Sequence, residues 1–221
     1  MSKYLKFQLA TLFAAIGASI LAYPYLPERL ASHWGADGQV NGYMSKAGLL
    51  IFMPALILLM LAIRILILKF DPLAANIKKF SAAYERTWLV IIGFVFYIQL
   101  LTLGWNFGYR FDFGSAIVPA FAVLFWFLGS VLENSKRNWS VGIRTPWTLS
   151  SDAIWDKTHR LGADLFRICG LLALGGIVFP AAAVYLMVGP IIIASLALTV
   201  FSYLEYAKEK QGTIPPEKSP K

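Results

Sequence analysis

The side chains in this sequence that could do chemistry fall into two polar stretches set among long apolar runs. Residues 26–46, LPERLASHWGADGQVNGYMSK, hold His33 and Asp37 four residues apart, with Trp34 and Tyr43 close by. Residues 133–161, ENSKRNWSVGIRTPWTLSSDAIWDKTHRL, hold the other histidine, His159, with Trp139, Trp147 and Trp155 and the cations Lys136, Arg137, Arg144, Lys157 and Arg160. A histidine and a carboxylate at loop spacing could ligate a metal, but a zinc site takes four ligands, or three and a water. The pair fits a hydrogen-bonded histidine better. The sequence has no HExxH, no GxSxG and no phosphate-cradling glycine loop. Its single cysteine, Cys169, can form neither an intrachain disulfide nor a thiolate cluster. Catalysis, a metal and a cofactor are therefore not expected. The three tryptophans are large amphipathic groups that suit either a bilayer interface or a binding pocket, and both readings stay open.

The elements that must position these stretches follow from composition. Of 221 residues, 58% are hydrophobic and 14% charged. That is more apolar side chain than one soluble domain buries, and it marks an integral membrane protein. A spanning helix needs about 20 largely apolar residues, and six windows qualify, near 7–25, 47–68, 87–107, 114–132, 164–179 and 182–206. The first follows Lys3 and Lys6 but exceeds the apolar region of a signal peptide, so it is expected to remain as the first span. Residues 168–204 carry no charge; as one helix they would run about 55 Å at 1.5 Å per residue. A turn is expected at Pro180 or at Gly189–Pro190, because proline lacks the helical N–H donor.

Counting cations between the windows orients the chain. Fifteen Lys and Arg fall on the face of the two termini, the 69–86 connection and the 133–161 stretch, against Arg29, Lys46 and Arg110 on the other. Cationic segments stay in the cytoplasm, so both termini are expected there. His33 and His159 then lie on opposite faces, and about 30 Å of hydrocarbon forbids a shared site. The net charge of +8 reads as an attraction to anionic lipid head groups, with no direct nucleic-acid binding.

Within this frame, Gly35, Asp37–Gly38 and Asn41–Gly42 make 26–46 a compact ordered outer loop. Arg64, near the end of the second window, is expected to snorkel into the head groups. Leu73, Ile77, Phe80, Tyr84 and Trp88 recur at helical spacing, which predicts an amphipathic helix over about 72–86, lying on the inner leaflet. Gln99, Thr102 and Asn106 form a polar stripe suited to joining helices. Residues 134–160 are expected to be an ordered inner loop. Thr145–Pro146 restricts its backbone, and Ser150, Ser151 and Asp152 offer N-cap oxygens for a helix running into the fifth span. On that helix Asp156 and Arg160 are spaced as an ion pair, and Trp155, His159 and Gly162 share a face that turns inward against Trp147. Arg144 is expected to pivot the loop by bonding Asp152, Asp156 or a helix-terminal carbonyl.

Both stretches resemble the SdpI family of bacterial multi-spanning membrane proteins. The inner one carries Asn134, Asn138, Gly142-Ile143-Arg144-Thr145-Pro146-Trp147-Thr148-Leu149, Ser151, Trp155 and Thr158-His159-Arg160. The outer one, with Pro27, His33-Trp34, Gly38, Gly42-Tyr43 and Ser45-Lys46, is similar to the N-terminal domain of unknown function often found in that family. For the family's namesake the resemblance implies protection from a secreted killing peptide and retention of a transcriptional repressor at the membrane.

The expected protein is thus an all-α membrane protein with six transmembrane helices and no enzymatic activity. Residues 1–70 form the first two helices with the outer loop, 71–206 a four-helix SdpI-like region and 207–221 a flexible cytoplasmic tail. Its expected role is immunity or signalling: resistance to a secreted peptide toxin, with a cytoplasmic repressor as the inner partner and membrane lipids around it. A small transporter or channel is the alternative. No Asp or Glu falls mid-window, and that argues against an ion-coupled transporter. The outer candidates for ligand binding are His33, Trp34, Asp37 and Tyr43. The inner candidates, for partner binding or structure, are Asn138, Gly142, Arg144, Pro146, Trp147, Trp155 and His159.

Overall fold

A computed structural model describes residues 2–212. In chain order the elements are α1 (Lys3–Ala22), a hairpin of β1 (Arg29–Trp34) and β2 (Val40–Ser45), α2 (Lys46–Phe70), a short α3 (Ala74–Lys79), α4 (Ser81–Asn106), α5 (Phe113–Asn134), a short α6 (Pro146–Ser150), α7 (Asp152–Val178) and α8 (Ala183–Lys210). Six of them, α1, α2, α4, α5, α7 and α8, are long and apolar enough to cross a membrane. The chain is a multi-pass membrane protein. Ser2, Ser45, Asp112 and Ser151 start four of these helices, each side chain accepting a backbone N–H three residues on, which satisfies a donor the first turn would leave orphaned.

The helices form two three-helix groups. One is α1, α2 and α4, around Leu12, Ala15, Ile57, Leu61, Ile92 and Val95; the other is α5, α7 and α8, and α4 packs on α5 to join them. Tyr97 ties that seam by donating its hydroxyl to the Ala116 carbonyl, 2.8 Å away. With six crossings, the 135–145 loop and both described chain ends share one end of the bundle, the loop face. The hairpin caps the other.

Of the polar stripe on α4, Gln99 joins helices as expected, whereas Asn106 bonds the hairpin. Pro54, inside α2, cannot donate to the carbonyl of Leu50 one turn back. The hydroxyl of Ser19 donates to that carbonyl instead, at 2.8 Å, and Gln99 donates to both Ser19 Oγ (3.0 Å) and the Ala15 carbonyl (2.9 Å). A proline that would strand an acceptor in hydrocarbon is thus satisfied by a neighbouring helix.

Several expectations are revised. The outer loop is an antiparallel hairpin, Arg29 opposite Ser45 and Trp34 opposite Val40, with irregular register between Ala31 and Trp34. That irregularity hides the alternation by which a strand is read from sequence. The amphipathic stripe exists, but Ile77, Phe80, Tyr84 and Trp88 are buried with Val131 in one core cluster rather than facing lipid. The helix breaks at Phe80, so the segment splits into α3 and the start of α4. Arg64 does not snorkel: it is buried and pairs through two nitrogens with Glu85, which lies 21 residues on. The turn between the last two spans is at Phe179–Ala182, and Pro190 lies inside α8. α8 runs to Lys210, into the segment read as a tail, and residues 213–221 of that tail lie outside the described residues.

Candidate functional site

At the loop face the chain builds a small folded unit from the motif residues. Asn138, fully buried, organises the turn: its Oδ1 accepts the N–H groups of Ser140 (2.9 Å) and Val141 (2.6 Å), while Nδ2 donates to the carbonyls of Lys136 (2.8 Å) and Val141 (2.9 Å). All four hydrogen-bonding positions of the amide are filled. Gly142 follows at φ +124°, where an L side chain is strained, and any Cβ there would strike His159 Nε2. The chain needs that closeness, because the next residue, Ile143, donates its N–H to His159 Nε2 at 2.9 Å.

His159 accepts at Nε2 and meets the Trp155 carbonyl with Nδ1 at 2.8 Å. This pattern fits the neutral ring with its proton on Nδ1. Its face stacks on Trp155, one helical turn earlier, at 3.9 Å between centroids. Both rings are buried, and the Trp155 indole N–H donates to the Ser135 carbonyl at 3.3 Å. The shared inward face of Trp155, His159 and Gly162 is therefore as the helical spacing predicts. Trp147 is not its partner. It packs edge-on to Tyr203 of α8, 5.2 Å away.

Pro146 starts α6 behind a capping box in which Thr145 and Thr148 exchange side-chain and backbone bonds. Thr145 also bonds Ser202 of α8 at 3.1 Å. Arg144 is not the pivot: it is exposed and donates to the Trp139 carbonyl of its own loop at 2.7 Å. Arg137 takes that place, reaching the Leu149 carbonyl at 2.9 Å and lying 2.5 Å from Asp152. Asp156 pairs with Lys136, not with Arg160.

Asp71, at the end of α2, is the residue that sequence reasoning missed. Buried, it accepts the N–H of Trp139 (3.0 Å) and the hydroxyl of Ser140 (2.6 Å) with one oxygen, and the Leu73 N–H (2.7 Å) with the other. Asn76 adds a bond to the Arg137 carbonyl at 2.8 Å. The first half of the chain thereby clamps the loop of the second. Asp-Pro at the end of an apolar window signals this only as a helix stop.

The hairpin gathers less. Leu30 and Ala31 are buried, and Asn106 of α4 pins the edge strand by bonding both the N–H (2.8 Å) and the carbonyl (3.0 Å) of Ala31. Trp34 stacks on Phe113 at 3.8 Å and meets Trp105 edge-on at 5.6 Å, so it anchors the hairpin to α4 and α5. His33 bonds Asn41, and Asp37 caps the tight turn by accepting the Gln39 N–H at 3.1 Å. Tyr43 is 54% exposed, with Arg29 over its ring. The four outer candidates share one hairpin but do not converge on one point. Among the described residues no three His, Cys, Asp or Glu side chains are grouped to hold a metal.

With that geometry in hand, the comparisons fall on both polar regions. Residues 134–202 match the SdpI/YfhL protein family, and residues 10–58 match DUF1648, a domain of unknown function. The chain is 22% identical over 195 residues to Immunity protein SdpI of Bacillus subtilis (strain 168), covering 88% of this chain and 91% of that protein. No solved structure matches. The hairpin thus lies within the stretch that matches DUF1648 and the loop unit within the stretch that matches the SdpI/YfhL family, so the chain resembles that family through both of its polar regions.

Proposed function

We propose that this chain is a non-catalytic immunity protein of the cell membrane, which protects the cell from a secreted antimicrobial peptide met at the hairpin and holds a transcriptional repressor at the loop face. One observation carries the reading: the similarity to an immunity protein runs nearly end to end along both chains, hairpin and loop included. The cation asymmetry puts the loop face and both termini in the cytoplasm and the hairpin outside. On the hairpin, His33, Asp37 and Tyr43 are exposed polar and aromatic groups of the sort that anchor a peptide, and Trp34 fixes the strand that presents them. At the loop face, Asn138, Gly142, Trp155 and His159 hold the shape, and exposed Arg144 and Pro146, with Trp147 beside them, offer the repressor a fixed surface.

The test is expression in a strain sensitive to a killing peptide of the sort that the family's namesake counters. Growth should be restored by the wild-type chain, and lost with Tyr43→Ala plus His33→Ala at equal membrane abundance. Growth no better than with empty vector, with the wild-type chain present in the membrane, would overturn the reading. Orientation is checked separately, by replacing Cys169 with Ala and Ser32 with Cys. An impermeant thiol reagent should label that cysteine from outside intact cells.

A further inference from the structure

Between the two helix groups, under the loop, lies a half-open cavity of about 420 Å³, within the range of ligand sites. Its walls come from the last turns of α2 and α5, the first turns of α4, residues 140–144 of the loop and Phe166 of α7. We propose that this cavity holds one acyl chain of an anionic phospholipid from the leaflet on the loop side, with the lipid phosphate on the Arg144 guanidinium.

The chemistry of the wall selects the occupant. Ile67, Trp88, Ile91, Leu128 and Val141 present hydrocarbon. The three hydroxyls among them already donate elsewhere: Tyr84 to the Arg64 carbonyl (2.7 Å), Thr87 to the Ala83 carbonyl (2.9 Å) and Ser140 to Asp71 (2.6 Å). Away from Arg144, a sugar, nucleotide or peptide backbone would meet mostly hydrocarbon and hydroxyls whose protons are already donated, and would strand its own polar groups. A hydrocarbon chain loses nothing there.

Arg144 is the one charged side chain on this wall. It forms no ion pair among the described residues and uses one nitrogen on the Trp139 carbonyl, so most of the guanidinium fork remains for an anion. Depth agrees as well. The wall residues of α2, α4 and α5 lie within about three turns of those helices' ends on this side, where head groups meet hydrocarbon. An occupant with an apolar tail and a single anionic head at that depth is a phospholipid of the adjoining leaflet.

The experiment is native mass spectrometry of the full chain, released from mild detergent after incubation with equal amounts of phosphatidylglycerol and phosphatidylcholine of matched chains. The wild type should retain one lipid and prefer phosphatidylglycerol by about fivefold, as expected for one cation at a lipid head group. Arg144→Gln should erase the preference, and Arg86→Gln, an exposed cation on α4 outside the cavity, should keep it. Val141→Trp should fill the cavity and lose both lipids; Ile91→Trp serves if that variant does not fold. Inorganic phosphate should displace nothing. Equal retention of the two lipids, or an Arg144→Gln variant that behaves as wild type, would overturn the proposal. Displacement of the lipid by inorganic phosphate would reduce the site to a headgroup contact and overturn the acyl-chain assignment. A dimer mass in place of the lipid adduct would give the cavity to a second copy of the chain.

Discussion

Among α1, α2 and α4 the helices meet through polar side chains that reach another helix's backbone: Gln99 to Ala15, Ser19 to Leu50, Gln8 to Glu85. In the group of α5, α7 and α8 they meet where side chains are missing. A Cβ added at Gly129 would lie 2.7 Å from the Ala163 carbonyl oxygen, at Gly170 2.9 Å from that of Ala122, and at Gly176 2.8 Å from the Cα of Ala183. At Gly17 and Gly93, in the first group, an added Cβ meets nothing within 4 Å. Lipid tails are as apolar as leucine, so burial alone does not hold spanning helices together. Hydrogen bonds or close backbone approach must do so, and each half of this chain relies mainly on one of them. The loop unit extends the second solution beyond the apolar region, with Gly142 against Trp155 and His159 and Gly162 against Ile143.

The largest effects should come from breaking close approach. Gly129→Ala and Gly170→Ala each push a methyl group into backbone that has no rotamer to yield, and should cost about 1–3 kcal/mol, the usual penalty for overpacking. Gly93→Ala should be neutral or stabilising by up to about 1 kcal/mol, because alanine favours helix over glycine. Thermal unfolding in detergent separates them. A Gly93→Ala variant as damaged as Gly129→Ala would erase the distinction between the halves.

The clamp between the halves comes next. Asp71→Ala leaves the Trp139 N–H and the Ser140 hydroxyl without their charged acceptor, at about 1–3 kcal/mol, the scale of hydrogen bonds to a charged group. Loss of the clamp should show as faster proteolysis within residues 139–144, with the six spans intact. Unchanged cleavage would mean that Asn138 and the His159 bond to Ile143 hold the loop without the clamp.

A smaller effect sharpens the hydrogen-bonded half. Ser19→Ala should cost roughly 1 kcal/mol, the scale of interhelical bonds in membranes. Most of that cost should vanish in a Pro54→Ala background, where residue 54 regains an N–H for the Leu50 carbonyl. The double-mutant cycle in thermal stability reads this coupling directly. Additive costs would sever the link between Ser19 and the proline.

Much of this was legible in the sequence, for local reasons. Six spans follow from window length, the inward Trp155–His159 face from helical spacing, and the start of α7 behind Ser151 from cap chemistry. What escaped depends on partners far along the chain. Arg64 looked like a snorkelling cation because Glu85 is 21 residues away and belongs to a different helix. The clamp by Asp71 spans 68 residues to Trp139. Trp34 was grouped with the exposed hairpin residues, although Phe113 and Trp105 claim its ring. Spacing rules see one element at a time, and these pairings exist only after the elements pack.

Arg137 and Arg144 put that lesson to its finest test, since sequence assigned the pivot to one and packing gives it to the other. Arg137 divides its guanidinium between the Leu149 carbonyl, at the end of α6, and the Asp152 carboxylate, in the first turn of α7. It therefore ties two consecutive helices across their junction at Ser151. An ammonium cannot span both acceptors in that planar geometry. The charge contact is half-exposed and Nε–H is not aligned on the carboxylate, so its loss should be modest, below about 1 kcal/mol. Arg144 bonds only a carbonyl five residues away, which a lysine can reach as well. Arg137→Lys should thus lower the unfolding temperature slightly and measurably, and Arg144→Lys should leave it unchanged. The opposite order would return the pivot to Arg144 and mean that the junction of α6 and α7 is held by Thr145, Thr148 and Ser151 without help from Arg137.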